Sequence, residues 1–448
     1  MKKSFYILIC GILLAATTTA HAQTWNCGAG VSATLNEGTL TVSGAGAMND
    51  YTGANDTQPW LAERANITAV VVNNGVIAVG AYAFASCPAL ATVTIQQSVA
   101  SIGDLAFGSC PVLTTVNFNA TNCSKMGSYT RISDQWGNWK EYDYTVFVGC
   151  PLTNVIFGSN VTVIPELAFF RRTQLTSITF PASLKTIGAG AFSGCTGFSS
   201  VTLPESVETI GGSAFSGCTG LSSVNIPAQV TVIGVSAFDG CKNITSITIP
   251  ETVVEIGYGA FLGTGLTSVN IPESLESIGD IAFGYCANLT TVYFNAVDCE
   301  SGSKSPFERS PVSAVHFGNK VTGIPAYLFY GNTVLTTVVF PQSVEYIDAY
   351  AFGGCTALHT ADLPESLEEM GEEAFAGCKL TAVTIPESVT YIGNGAYGGC
   401  TGLTTVNFNA INCEFMGESY TNSAFYGCSN ITEINFGIKV TAIPADSS

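Results

Sequence analysis

Apolar residues in Ser200–Ser222 (SVTLPESVETIGGSAFSGCTGLS) fall at Val201, Leu203, Val207, Ile210, Ala214, Phe215, Cys218 and Leu221, with polar residues or turn formers between them. Val201 and Leu203 alternate with Ser200 and Thr202, which predicts a short strand with those two side chains inward. Pro204 closes that strand because it has no N–H to give a ladder. Val207 and Ile210 form the next inward pair, and Gly211 with Gly212 predicts a tight corner. Phe215 is the large core plug of the third side, Cys218 follows it, and Leu221 closes the turn. One such unit is too small to bury these side chains alone.

The same pattern returns from Ser177 (SITFPASLKTIGAGAFSGCTGFS), Ser223 (SVNIPAQVTVIGVSAFDGCKNIT) and Ser268 (SVNIPESLESIGDIAFGYCANLT). Its aromatic falls at Phe84, Phe107, Phe147, Phe169, Phe192, Phe215, Phe238, Phe261, Phe283, Phe307, Phe329, Phe352, Phe375, Tyr397 and Phe425, which defines fifteen units. Most steps are 22, 23 or 24 residues; Phe107 to Phe147 is 40 and Tyr397 to Phe425 is 28. Units of this length bury their apolar faces by stacking. The expected fold is therefore a β-rich solenoid of about fifteen units with parallel strands and short helical bends. With strands about 4.8 Å apart, it would be about 70 Å long. The extra residues of the two long steps must leave the coil as loops.

The ends read differently. Lys2 and Lys3, the apolar run Tyr6–Ala16 and the A-x-A site Ala20-His21-Ala22 predict a signal peptide over residues 1–22, leaving Gln23 first. That apolar run is too short to span a bilayer, and no later segment is apolar enough. Residues 23–66 read as an N-terminal β-rich cap containing a hairpin around NEG, with Trp25, Met48 and Trp60 as lids over the first coil. The array then occupies 67–448 and stops mid-repeat, without the aromatic that should follow Pro444.

Three units carry a second signature: Asn117–Cys123 (NFNATNC), Tyr293–Cys299 (YFNAVDC) and Asn407–Cys413 (NFNAINC). Each is followed by a Phe-Gly unit, at Phe157–Pro165, Phe317–Pro325 and Phe436–Pro444. The pairing implies a higher-order duplication marking points where loops leave one edge. The longest such loop, residues 124–146, holds Trp136 and Trp139 together with Tyr129, Tyr142, Tyr144 and Arg131. Trp, Tyr and Arg dominate recognition hot spots, and loops carry function more often than scaffold does. These six residues are the candidate ligand-binding set. The competing reading is that the aromatics fold back and anchor the loop.

Sixteen cysteines in an exported chain would ordinarily suggest disulfides. Eleven of them, from Cys87 to Cys428, sit three residues after the repeat aromatic, in one inward column. Cysteine there is expected to act as a small apolar residue with a buried thiol. Arg172, Thr264, Ser310 and Asn332 hold the place elsewhere. Formal net charge is −18, and loss of Lys2 and Lys3 makes it more negative, so nucleic acid is not an expected partner. The corner glutamates, among them Glu205, Glu208, Glu251 and Glu276, read as a solvated face, and no calcium-loop spacing accompanies them. His316 and His359 have no nucleophile or carboxylate placed beside them by sequence. No catalytic residue, metal site or cofactor is read.

The unit L-T-S-V-x-I-P-E-S-V-x-x-I-G-x-x-A-F-x-G-C resembles the BspA-like class of leucine-rich repeats, and Ser223–Thr245 and Ala382–Thr404 match it nearly throughout. The leading segment WNCGAGVSATLNEGTLTVSGAGAM is similar to those found before such arrays, so the resemblance covers roughly residues 24–448. It implies a right-handed leucine-rich-repeat-like solenoid in a secreted or cell-surface bacterial protein of an adhesion-associated family. The expected function is non-catalytic binding by a monomer of an extracellular protein or glycan: a host matrix protein, another cell or a surface glycan. The alternatives are a glycan-binding module for nutrient capture and a purely structural surface protein. A hydrolase is the least favoured reading.

Overall fold

The computed structural model describes residues 22–133, 139–418 and 423–443. The expected signal peptide, Ala22 apart, lies outside them. Among the described residues no helix is long and apolar enough to cross a membrane.

The repeat folds as its apolar pattern requires. All eight inward positions of Ser200–Ser222 are buried, from Val201 at 3% exposure to Leu221 at 0%. First strands pair in parallel with their equivalents in several separate ladders, as in Ser200↔Ser223 and Val201↔Val224. The second strand does the same in a separate ladder, with Ile187, Ile210, Ile233, Ile256 and Ile278 in one row. A register slip would turn both rows outward, so the pattern fixes the stacking.

The third side replaces the expected helical bend with linked turns. The N–H groups of Ala214, Ser216 and Cys218 bond back three residues, to the carbonyls of Gly211, Ser213 and Phe215. Those of Ser213, Phe215 and Gly217 reach the next coil, at Val235, Ala237 and Asp239. Every second donor therefore closes a turn, and the others tie coil to coil. The longest helical run described is the 3-10 segment Leu61–Asn66. The geometry places left-handed backbone two residues before and two residues after the aromatic, as at Ser213 (φ 54°) and Gly217 (φ 69°). Gly211 has a different purpose. A Cβ there would stand 2.7 Å from the Ala189 nitrogen, so glycine is needed for close approach between coils.

The aromatic side chains stack into one continuous column from Trp60 to Phe425. Successive centroids are 5.2 Å apart at Trp60–Phe84, 5.6 Å at Phe215–Phe238 and 5.1 Å at Tyr397–Phe425. Trp60 holds the aromatic position of a coil that begins at Thr39–Gly44, a strand parallel to Ala69–Val72. Trp25 meets Trp60 edge-on at 6.5 Å, and Met48 is buried in the same core.

The cysteine column is more than apolar filling. Cys218 Sγ donates to the carbonyl of Phe192 in the preceding coil at 3.2 Å, and Cys195, Cys241 and Cys378 repeat the bond to Phe169, Phe215 and Phe352. Where cysteine is absent, Ser310 donates to Phe283 at 2.7 Å, and the Arg172 guanidinium donates to Phe147. At most coils the position gives a second donor to a buried carbonyl that already accepts the N–H three residues on, as Phe215 accepts from the Cys218 N–H; Thr264 and Asn332 bond elsewhere, to Phe261 and Val312. The fifteen described cysteines are unbridged. Burial pushes the Cys195 and Cys378 thiols up to about 12.

The paired signatures also have a steric cause. A Cβ on Gly158, Gly318 or Gly437 would stand 2.5, 2.7 or 2.8 Å from the amide oxygen of Asn119, Asn295 or Asn409. The asparagine of one unit thus packs closely against the Phe-Gly glycine of the next, and a side chain there would have to displace its amide. Lys320–Glu273 and Lys439–Glu387, each 2.7 Å, are equivalent ion pairs at two of these junctions.

Candidate binding surfaces

The long insertion leaves the second-strand ladder as a β-hairpin. Lys125 and Met126 still pair in parallel with Ser101 and Ile102. From Gly127 onward the chain pairs instead with its own return strand, Trp139–Thr145. Directly opposed residues share a face in an antiparallel pair. Tyr129 opposite Asp143 and Arg131 opposite Glu141 therefore form one face, while Thr130 opposite Tyr142 and Ser128 opposite Tyr144 form the other. The six residues singled out from sequence do not form one cluster. Trp136 and the Trp139 side chain lie outside the described residues.

The first face folds back onto the coils. The Tyr129 ring packs 4.8 Å from that of Phe170. The Arg171 guanidinium lies 5.4 Å from the Tyr129 centroid and 4.9 Å from that of Phe170. Arg171 also pairs with Glu141 at 2.8 Å, and Arg131 approaches the same carboxylate at 4.0 Å. The Arg171 contact holds the Glu141 carboxyl below the usual glutamate range. Between this wall and the turn side of the following coils runs a groove of about 580 Å³, floored by small residues such as Gly190, Ser193, Gly194 and Ser216. Phe170 and Arg171 complete it. They escaped the sequence reading because they sit inside a regular repeat.

The second face points away from the coils. Tyr142 and Tyr144 stack at 6.2 Å, and the Lys140 ammonium lies 5.2 Å from the Tyr142 centroid. Ile132 is 54% exposed.

A second aromatic tract lies on the same turn side, farther along the array. Tyr327 and Tyr350 stack at 4.9 Å, and Tyr330 meets them edge-on at 5.6 and 6.1 Å. The Tyr350 hydroxyl donates to Glu372 at 3.2 Å. Burial, then the Glu373 and Glu372 carboxylates, push that hydroxyl up to about 12. Beyond the two glutamates opens a hollow of about 410 Å³ with Asn394, a floor including Gly395 and Gly399, and Tyr426 as its far wall. No local motif announces this tract, because its residues come from five successive repeats. Aligning the repeats would have shown large side chains at positions filled elsewhere by Gly or Ser.

The strand side has a hollow of about 480 Å³ lined by residues including His316, Phe317, Thr337 and Pro341. His316 stacks on Tyr293 at 5.0 Å, beside a break in the ladder between Ala314–Phe317 and Thr337–Val339. His359 Nδ1 lies 3.1 Å from the Ala357 carbonyl. Among the described residues no three His, Cys, Asp or Glu side chains converge as a metal site would require.

The sequence profile described as "BspA type Leucine rich repeat region (6 copies)" matches residues 61–132, 140–234, 218–334 and 322–447. No curated protein matches the chain. Among solved structures, a leucine-rich repeat protein from Bacteroides ovatus is 25% identical, covers 85% of this chain and 94% of its own, and superposes with a TM-score of 0.53. A leucine-rich repeat protein from Eubacterium ventriosum is 22% identical over 81% of this chain and 96% of its own, with a TM-score of 0.38. A leucine rich cell surface protein from Faecalibacterium prausnitzii is 23% identical over 93% of this chain and 95% of its own, with a TM-score of 0.37.

Proposed function

The chain belongs to the BspA-type leucine-rich repeat family, and from that premise we propose that it is an exported, non-catalytic adhesin-type protein that binds an extracellular protein or glycan. The basic start, apolar run and A-x-A site of residues 1–22 support export to the cell surface or beyond. The observation that carries the binding reading is the hairpin. A solenoid needs no projecting hairpin to close its core, and this one turns stacked Tyr142 and Tyr144, with Lys140, away from the coils. Flat rings with a polar edge suit both protein contacts and sugar rings. The inward face, with Arg171 between Tyr129 and Glu141, holds the hairpin in a defined position and supports its use as a specificity element.

The test is equilibrium binding of residues 23–448 to host matrix proteins and glycans, beside Tyr142→Ala/Tyr144→Ala and Trp136→Ala/Trp139→Ala variants checked for folding by circular dichroism. Saturable binding that either variant weakens by about tenfold or more supports recognition by the hairpin. Binding that both variants retain in full moves the site to the repeats.

A further inference from the structure

The tyrosine tract has a character of its own. It runs over five consecutive coils, from Tyr327 and Tyr330 through Tyr350, Glu372 and Glu373 to Tyr426. At about 4.8 Å per coil its length is about 20 Å, the reach of about six extended residues. Tyr330 is 47% exposed and Tyr426 is 49% exposed, so ring faces are open at both ends. The centre is acidic. Among the described residues neither Glu372 nor Glu373 is in an ion pair, a state shared with Glu205 and Glu276; these two differ in standing side by side next to the tyrosines. The floor offers no bulk, since Gly395 and Gly399 take its left-handed positions.

The geometry points to a docking surface for an extended, arginine-bearing segment of a partner protein, with guanidinium groups at Glu372 and Glu373 and flanking residues over Tyr330 and Tyr426. Charge complementarity on an aromatic platform selects this occupant. Two unpaired carboxylates favour a cation and repel acidic glycans and nucleic acid. A guanidinium can bond a carboxylate with its planar fork and also lie against a tyrosine face, whereas a neutral sugar can give the carboxylates hydroxyl hydrogen bonds but leaves their charge uncompensated. This surface is separate from the hairpin and goes beyond the adhesin reading.

The experiment is fluorescence anisotropy of labelled Gly-Arg-Gly-Arg-Gly-Arg with residues 23–448, against the matched Gly-Glu-Gly-Glu-Gly-Glu peptide. Expected is saturable binding of the arginine peptide alone, weakened about tenfold or more by Glu372→Gln/Glu373→Gln and also weakened by Tyr330→Ala. Glutamine still accepts the Tyr350 hydrogen bond, so the double variant should keep its fold, checked by thermal unfolding. Glu205→Gln/Glu276→Gln removes the same charge elsewhere and should leave affinity unchanged. Tyr142→Ala/Tyr144→Ala should also leave it unchanged, which separates this surface from the hairpin. Absence of saturable binding, equal loss in the two glutamate pairs, or indifference to Glu372→Gln/Glu373→Gln would each overturn the proposal.

Discussion

The hairpin groove and the tyrosine tract stand on the same platform, the turn side of the coils, yet treat charge in opposite ways. In the groove Arg171 is partnered, with Glu141 at 2.8 Å and the rings of Tyr129 and Phe170 within 5.4 Å of its guanidinium carbon. In the tract the tyrosines contact one another, and the carboxylates beside them have no cation among the described residues. The first arrangement fixes a projecting element in place. The second leaves its chemistry open to solvent. An aromatic-rich stretch is therefore not open merely because it is a loop: position on the coil decides which rings are used internally.

The largest effects should come from the column beneath both regions. Phe352→Ala under the tract and Phe169→Ala under the groove each remove a buried ring stacked on both neighbours. Each should destabilise by about 3–5 kcal/mol. Hydrogen exchange should show accelerated amides confined to the coils on either side, because contacts in the array are nearest-neighbour. Uniform acceleration along the chain would contradict that picture.

A smaller effect of opposite sign belongs to the tract end. Tyr397 replaces phenylalanine in the column, and its buried hydroxyl has no hydrogen-bond partner among the described residues. Tyr397→Phe should raise stability by about 1–3 kcal/mol, read from urea unfolding. A loss would mean that the hydroxyl has a partner such as a buried water.

The groove has its own test. Glu141 is held below the ordinary glutamate range chiefly by Arg171. A lowered folded value means that the contribution is full above the unfolded pKa and is lost as pH falls through the folded one. Anchoring of the hairpin, followed by the NMR shifts of the Tyr129 ring, should therefore hold at neutral pH and loosen in acid. Glu141→Gln should remove that acid step.

Least of all should come from the platform backbone. Ser213 adopts left-handed φ where Gly190 and Gly259 stand in other coils. Ser213→Gly should gain about 0.5–1 kcal/mol, and Gly217→Ala should lose a similar amount, in thermal unfolding. A destabilised Ser213→Gly would show that the side chain, not the backbone, governs the site.

The scaffold was largely legible because one period repeats fifteen times, and each copy confirms the inward set from Val201 to Leu221. Other features were hidden for physical reasons. A cysteine looks the same as filler or as a donor; only Arg172 and Ser310, bonded to the same carbonyl row, reveal the donor role. Gly211 reads as a turn former, but its reason lies in the neighbouring coil, at Ala189. The hairpin's position was readable from the long step after Phe107. The division of Tyr129 and Arg131 from Tyr142 and Tyr144 was not, since it depends on pairing register. The tract was least legible, because its tyrosines and glutamates meet only through stacking.

The most direct test of the adhesin reading is a hydrogen-exchange footprint of residues 23–448 with and without a host matrix protein or glycan that binds saturably. Protection is predicted for amides in Lys125–Ser133 and Trp139–Thr145. Protection confined to the strand side, around Ala314–Phe317 and Thr337–Val339, would contradict that reading.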